Sequence, residues 1–359
     1  MSDLLAIVMA GGKGERLFPL TRDRSKPAVP FGGIYRLIDI TLSNCINSGI
    51  YKIMVLPQYK SQSLTDHLEA GWNLFAYDLG HYLRIVSPQM RSGEHWYQGT
   101  ADSVRQNAYL IARDQMARLV LVLSGDHVYK MDYRLFRRYH QQTGAQVTIS
   151  VIEVDRTAAR SYGVVEVNRD FRVKAFHEKP DQKTAQSYLD SGHHLWNSGM
   201  FAWRAEVLLA EIRHHLPELA AGLEELSPHL GGPHQDEALE RIYPKLPAIS
   251  VDHGILEKSR TLRMVRADFG WSDVGSWEAM AELWPADDRG NACRDGRVLA
   301  IEARDNLVSA EGRLAALLGV EGLVVVVTDD VVMVLPRRRS QQVREIIARL
   351  QAEGLERYL

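Results

Sequence analysis

The residues with the clearest chemical potential lie between Ile7 and Gly33, in IVMAGGKGERLFPLTRDRSKPAVPFGG. An apolar run stops at Ala10, Gly11, Gly12 and Gly14 follow, and basic residues come next at Lys13, Arg16, Arg22, Arg24 and Lys26. Backbone N–H groups approach an anion closely only where no Cβ intrudes, and glycine also permits positive φ. A Gly-Gly-x-Gly turn after a strand can therefore wrap a triphosphate, with Arg16 adding bidentate donors. Lys26 precedes Pro27, which favours an extended backbone able to aim the lysine back over the phosphates. The GGxGxR spacing lacks the Gly-Lys-Ser/Thr of a P-loop and differs from the GxGxxG dinucleotide fingerprint. At the level of residues alone, an ordinary glycine-rich turn and a solvated loop lysine are the competing readings.

Two carboxylates suit a metal ion. Asp126, in SGDHVY, closes an apolar run, where a carboxylate is well placed to hold magnesium bridging phosphate oxygens. Asp273, in FGWSDVGSW, is the second, and two such groups meeting over one ion would make a phosphoryl-transfer site. A helix cap or turn aspartate is the plain alternative for each. In FHEKP, Glu178 and Lys179 are neighbours, so in a strand their side chains point to opposite faces and do different work. An acid there suits sugar hydroxyls and a lysine suits a sugar phosphate. Asn197 in LWNSGMF and Gly163 in SYGVV are further candidates, against a turn and a strand glycine. Glu211 and His214 are spaced for one helix face but have no second pair, so a solvated face is expected there. The basic PRRRSQQ (336–342) reads as a solvated approach to a helix. No Ser–His–Asp, Cys–His or paired-glutamate arrangement stands out. A phosphate monoester nucleophile is already anionic at neutral pH, so positioning, cations and metal would suffice.

These groups must be held by a scaffold, and its periodicity is legible. LLAIVMA (4–10), YKIMVLP (51–57), LVLVLSGD (119–126) and AQVTISVIEV (145–154) read as buried strands. Helical spacing over Tyr35–Ser48 and over 101–113 alternates with them. This βαβ order predicts an α/β fold with a doubly wound, mostly parallel, Rossmann-like sheet, whose ligands sit beyond the strands' carboxyl ends. From about Tyr162 the strands shorten, as in a second lobe of the same domain. A turn-rich stretch at 285–296 predicts a link to a small C-terminal α+β region, with a hairpin about Thr328-Asp329-Asp330. That tail has no hexapeptide run, so no β-helix solenoid is expected.

A formal net charge of −2 in 359 residues gives no basis for binding nucleic acid or an anionic membrane surface. The two cysteines, Cys45 and Cys293, form no CxxC pair and fit a reducing compartment. The apolar N-terminal run ends too soon for a signal peptide, and no stretch approaches a membrane span. A cytoplasmic enzyme is the expectation.

Together, AGGKGERLFPLTRDRSKPAVPFGG, YQGTADSV, SGDHVYKMDY, FHEKP and FGWSDVGSW resemble the sugar-1-phosphate nucleotidyltransferases, over most of the chain and in the same order. Up to about Val167 the sequence is similar to glucose-1-phosphate adenylyltransferases (KPAVPFGGIYRLIDITLSNCINSGI, PQYKSQSLTDHLEAGW). From about Phe176 it is more similar to mannose-1-phosphate guanylyltransferases (LWNSGMF, VDHGILEKS, ADFGWSDVGSW), which share its Asn-Ser-Gly, whereas the adenylyl enzymes usually carry serine at Asn197. The resemblance implies a catalytic domain over 1–285, with a nucleotide half to about 160 and a sugar half beyond, and a strand-and-helix region over 286–359. It implies that Ala10, Gly11, Gly12, Gly14, Arg16 and Lys26 meet the triphosphate, and that Gln98, Gly99 and Thr100 lie near base and ribose. Tyr97, Gly163, Glu178, Lys179 and Asn197 would hold the sugar phosphate, and Asp126 and Asp273 would bind Mg²⁺, with Arg16, Lys26, Asp126 and Lys179 as the catalytic set. The implied reaction joins a nucleoside triphosphate to a sugar-1-phosphate, first ATP with glucose-1-phosphate, then GTP with mannose-1-phosphate. A catalytically silent nucleotide-sugar sensor is the non-enzymatic alternative, and a homo-oligomer is compatible with either.

Overall fold

The computed structural model describes residues 3–31, 34–58, 60–87, 107, 110, 117–153, 164–168, 172–177, 184, 187–188, 194–229, 234–247, 252–259, 262–266, 269–294, 296–310 and 312–358. Its centre is a nine-stranded sheet. The chain enters it through β1 (Leu4–Ala10), then passes α1 (Leu37–Asn47), β2 (Lys52–Pro57), α2 (Gln62–Gly71) and β3 (Tyr82–Ile85). After β4 (Leu119–Ser124) and the helix Tyr133–Gln142 come β5 (Val147–Ile152), β6 (Val164–Val167), β7 (Val173–His177), β8 (His194–Arg204) and β9 (Leu262–Arg266).

The strand order β3-β2-β1-β4-β8-β5-β9 begins as the expected parallel array. β1, β2 and β4 are buried almost along their whole lengths, as their continuous Val/Ile/Leu runs require when helices cover both faces. The eleven-residue β8 then inserts antiparallel between β4 and β5, and β6 with β7 adds an antiparallel arm beside it. The sheet is therefore mixed in its second half. Apolar clusters pack on its two faces, one around Leu5, Ile7, Val120 and Trp203, the other around Ala6, Val8, Leu121 and Phe136.

Beyond Ala286 the strands wind rather than zigzag. β10 (Ala292–Arg294), β12 (Leu307–Ser309) and β14 (Leu323–Val327) stack in parallel on one side. β11 (Arg297–Ile301) pairs in parallel with β13 (Leu314–Leu318) on another. Only β14 and β15 (Val332–Pro336) make the hairpin expected around Thr328–Asp330. The result is about two turns of a flattened coil, far short of a long solenoid. Buried asparagines pin its corners: Asn291 Oδ1 accepts from the Asn306 side-chain amide at 2.9 Å, and Asn306 Oδ1 accepts from the Leu323 N–H one coil on. This amide ladder leaves no hexapeptide repeat in the sequence.

The coil does not stand apart. Leu17, Phe18, Leu20 and Val29, from the segment after β1, share one core with Trp277, Leu307, Val324, Met333 and Val343. The Trp277 indole, fully buried, donates to the Phe18 carbonyl at 3.1 Å. The last helix, Val343–Ala352, lays Ile346, Ile347 and Leu350 against the same cluster.

Candidate active site

β1 ends at Ala10, and the glycines lead the chain over the sheet's carboxyl edge. Gly14 has φ 65°, the left-handed region, and starts a short turn in which the Leu17 N–H and the Thr21 hydroxyl both donate to its carbonyl. A Cβ at Gly14 would stand 2.8 Å from the Lys26 Cβ, and one at Gly11 would stand 2.6 Å from Gln58 Oε1. Glycine is thus required at Gly14 by backbone conformation and close approach together, whereas a side chain at Gly11 would have to displace Gln58. The Lys26 N–H donates to the Gly12 carbonyl at 3.0 Å, which folds the loop back on itself and brings Lys26 over its own start.

Lys26 is only 8% exposed. Its ammonium lies 3.0 Å from Asp126 Oδ2 and also donates to the Asp273 carbonyl. The structure therefore brings together three residues from positions far apart in the chain. β4 supplies the second, since Gly125 donates to the Met9 carbonyl and delivers Asp126 beside Gly12. An isolated antiparallel bridge supplies the third: Val128 and Ser272 exchange both backbone hydrogen bonds at 2.8 Å, so the Asp273 turn docks against the strand end. Within that turn the Asp273 carboxylate accepts from the Gly275 N–H at 3.2 Å. The adjacent Val274 has φ 45° while fully buried, and a β-branched residue in that region stores strain.

Burial, the largest influence on Asp126, would push its carboxyl up, but the facing Lys26 and His127 outweigh it and hold the group below its ordinary range. His127 moves down as well, through burial and the neighbouring Lys26, against the pull of Asp126 and Asp273. Its Nδ1 accepts from the Trp271 indole at 3.3 Å, and indole nitrogen can only donate. A neutral His127 therefore carries its proton on Nε2, 3.7 Å from Asp126 Oδ1.

Asn197 lies on β8, half-buried, with its Oδ1 accepting from the Gly199 N–H at 2.9 Å. Gly199, at φ 74°, leaves room where a Cβ would press on Ser124 Oγ and the His127 ring. Arg16 is not part of the lysine–aspartate cluster. Its guanidinium donates to Gln341 Oε1 at 3.0 Å, in the short helix Arg337–Gln342. Tyr97, Gln98, Gly99, Thr100, Gly163, Glu178 and Lys179 lie outside the described residues, although Val164 and His177 beside them pair across β6 and β7. Of the pair expected on a solvated face, His214 is exposed, whereas Glu211 is half-buried with its carboxylate 3.3 Å from His215 Nε2, on a helix that packs against its successor.

Reading the sequence alone missed His127, Gln58 and Trp271. Each lies inside a quoted motif, but the approach of Gln58 to Gly11, of His127 to Asp126 and of Trp271 to His127 could be seen only in three dimensions. The carboxylates of Asp126 and Asp273 are hard oxygen donors of the kind Mg²⁺ prefers. Among the described residues no three His, Cys, Asp or Glu groups converge on one point. The donor set thus suits an ion that takes its remaining ligands from water and phosphate, not one held in an all-protein cage.

A glycine loop at a parallel sheet's carboxyl edge, closed by a lysine on two aspartate segments, is the arrangement in which α/β proteins bind anionic ligands. The family model described as Nucleotidyl transferase matches residues 5–289, and the chain belongs to that family. A second model, described as MannoseP isomerase/GMP-like beta-helix domain, matches residues 296–350, the coiled strands.

The glucose-1-phosphate adenylyltransferase of Koribacter versatilis (strain Ellin345) is 48% identical over 58% of this chain and 50% of its own length. Glucose-1-phosphate adenylyltransferase 2 of Vibrio cholerae serotype O1 is 42% identical over 77% of this chain and 64% of its own length. The chain thus spans about half to two thirds of the length of these relatives. Among solved structures, mannose-1-phosphate geranyltransferase from Thermus thermophilus superposes with a TM-score of 0.79 at 29% identity, covering 97% of this chain and 99% of that one. No helix among the described residues is long and apolar enough to cross a membrane.

Proposed function

We propose that this chain transfers a nucleotidyl group from a nucleoside triphosphate to a sugar-1-phosphate, with ATP and glucose-1-phosphate as the preferred pair. The convergence of Lys26, Asp126 and Asp273 beside the Gly11–Gly14 loop carries this reading. The names of relatives 42–48% identical support the choice of substrates. A phosphate oxygen of the sugar attacks the α-phosphorus in line, a new P–O bond forms, and the bond to the β-phosphate oxygen breaks. The leaving pyrophosphate carries the charge away, so no proton need move. Gly11, Gly12 and Gly14 give the triphosphate close access to backbone donors. Lys26 turns from Asp126 towards the leaving phosphates and offsets their charge, and Arg16 supplies paired donors at the loop's far end. Asp126 and Asp273 would hold Mg²⁺, which would supply positive charge to offset that of the phosphates. Lys179 and Glu178 are assigned to the sugar phosphate, with Asn197 beside them. The catalytic unit is assigned to 1–285 and the strand-and-helix region to 286–359.

GTP with mannose-1-phosphate is the second reading. It is favoured by Asn197-Ser198-Gly199 on β8 and by the whole-chain superposition on a structure named for mannose-1-phosphate. Pyrophosphate release, measured over four triphosphates against glucose-, mannose- and glucosamine-1-phosphate, separates the two. Release in no combination would leave the silent-sensor alternative standing.

A further inference from the structure

Arg16 is given to the triphosphate in the proposed function, yet its guanidinium is held by a residue 325 positions away. The partner is a glutamine. Among the described residues no carboxylate lies within ion-pair distance of Arg16. Its neighbour Glu15 is instead matched by Arg344, at 3.2 Å. A neutral amide oxygen can fix the direction of a guanidinium without offsetting its charge, and it engages only one of the five N–H donors. A carboxylate in the same place would orient Arg16 equally well and cancel the charge that an anion needs.

Gln341 is exposed, but its backbone is not loose. Ser340 on one side is 3% exposed and Val343, two residues on, is fully buried in the core shared with Leu17. Arg337, at the start of the same short helix, pairs with Glu278 at 2.7 Å and donates to the Asp305 carbonyl. Arg22, further along the glycine segment, pairs with Asp330 of the β14–β15 hairpin. The C-terminal region thus grips the segment after β1 at three points, Gln341 on Arg16, Arg344 on Glu15 and Asp330 on Arg22, of which only the Arg16 contact faces a group assigned to substrate.

We infer that Gln341 is a positioning residue for the triphosphate: it aims Arg16 from the C-terminal region while leaving its charge intact. This rests on the assignment of Arg16 to the triphosphate. The test measures ATP binding in the presence of Mg²⁺ by calorimetry, together with the KM for each substrate, in the full chain. Gln341→Met keeps length and loses the strong acceptor, and should raise the ATP Kd and KM about threefold to tenfold. Gln341→Glu keeps the acceptor but adds charge, and should weaken ATP at least as much, with the KM for the sugar phosphate unchanged. In an Arg16→Ala background both substitutions should have no further effect, because their influence passes through the guanidinium. ATP affinity unchanged in both variants, or lost equally with and without Arg16, would overturn the inference. A parent chain that binds no ATP would overturn the function on which it rests, a distinct result. Thermal melts within about a degree of the parent exclude misfolding as the cause, because surface substitutions seldom shift stability appreciably.

Discussion

Asp126→Asn changes one atom and tests both the electrostatics and the chemistry of the site. In the parent, two unit charges at 3.0 Å attract by about 5.5 kcal/mol at an effective dielectric of about 20. Desolvation of both groups offsets most of this, and stripping one partner from a fully buried pair costs about 3–5 kcal/mol. Here the Asp126 side chain retains 20% accessibility, and Lys26 keeps the Asp273 carbonyl. The expected loss is accordingly smaller, about 1–3 kcal/mol, read as a lower midpoint in urea at pH 7. The pH dependence follows from sign. Asp126 is held below its ordinary value, so the unfolded chain protonates first as pH falls, and the contribution is complete above about pH 4 and lost below it. The gap between the parent and Asp126→Asn should therefore hold from pH 7 to about pH 4 and narrow as the pH falls further. Pyrophosphate release at pH 7 should fall by about 10³-fold or more, because metal binding and charge placement both suffer. Turnover within tenfold of the parent would remove Asp126 from the site. A constant stability gap from pH 7 to pH 3 would refute the ion-pair argument.

Other expectations follow from individual residues. Gly14→Ala forces a side chain into left-handed backbone and against Lys26, and should cost about 2 kcal/mol or more in urea denaturation. His140 is buried against Thr148, with burial lowering its pKa to about 4. The unfolded chain takes up a proton from about pH 6.5 and the folded one does not, so stability should fall between those values, and His140→Gln should flatten that slope. Asn306→Ala strands the Leu323 N–H inside the coil and leaves the Asn291 amide oxygen only the backbone N–H of residue 306, and should cost about 1–3 kcal/mol, detected as a lower thermal midpoint. Removal of divalent cations with EDTA should abolish pyrophosphate release, and added Mg²⁺ should restore it.

The sheet's first half was legible because its strands are unbroken apolar runs, and burial on both faces demands that pattern. β8 was legible only in part: SGMFAW (198–203) reads as strand, while Asn197 and Ser198 interrupt the apolar residues of its first half and nothing local shows that it runs antiparallel between β4 and β5. The coil escaped notice because strands of three to five residues carry too little periodicity to show parallel stacking. For the site, residue types and their places at strand ends were visible. Convergence was not: Lys26 meets Asp273 across 247 positions, through a two-residue bridge at Val128 and Ser272 that no local pattern encodes. Arg16 had the right type for an anion, but its partner belonged to a segment that read as solvated.

The antiparallel placement of β8 has a mechanical consequence. It runs between β4, whose end presents Asp126, and β5, and it carries Asn197 and Gly199 past His127. Asp126 past the end of β4 and Asn197 on β8, paired there with Val151 of β5, thus belong to one hydrogen-bonded sheet. If Asn197 meets the sugar as proposed, its distance from Asp126 is fixed by strands and not by a loop.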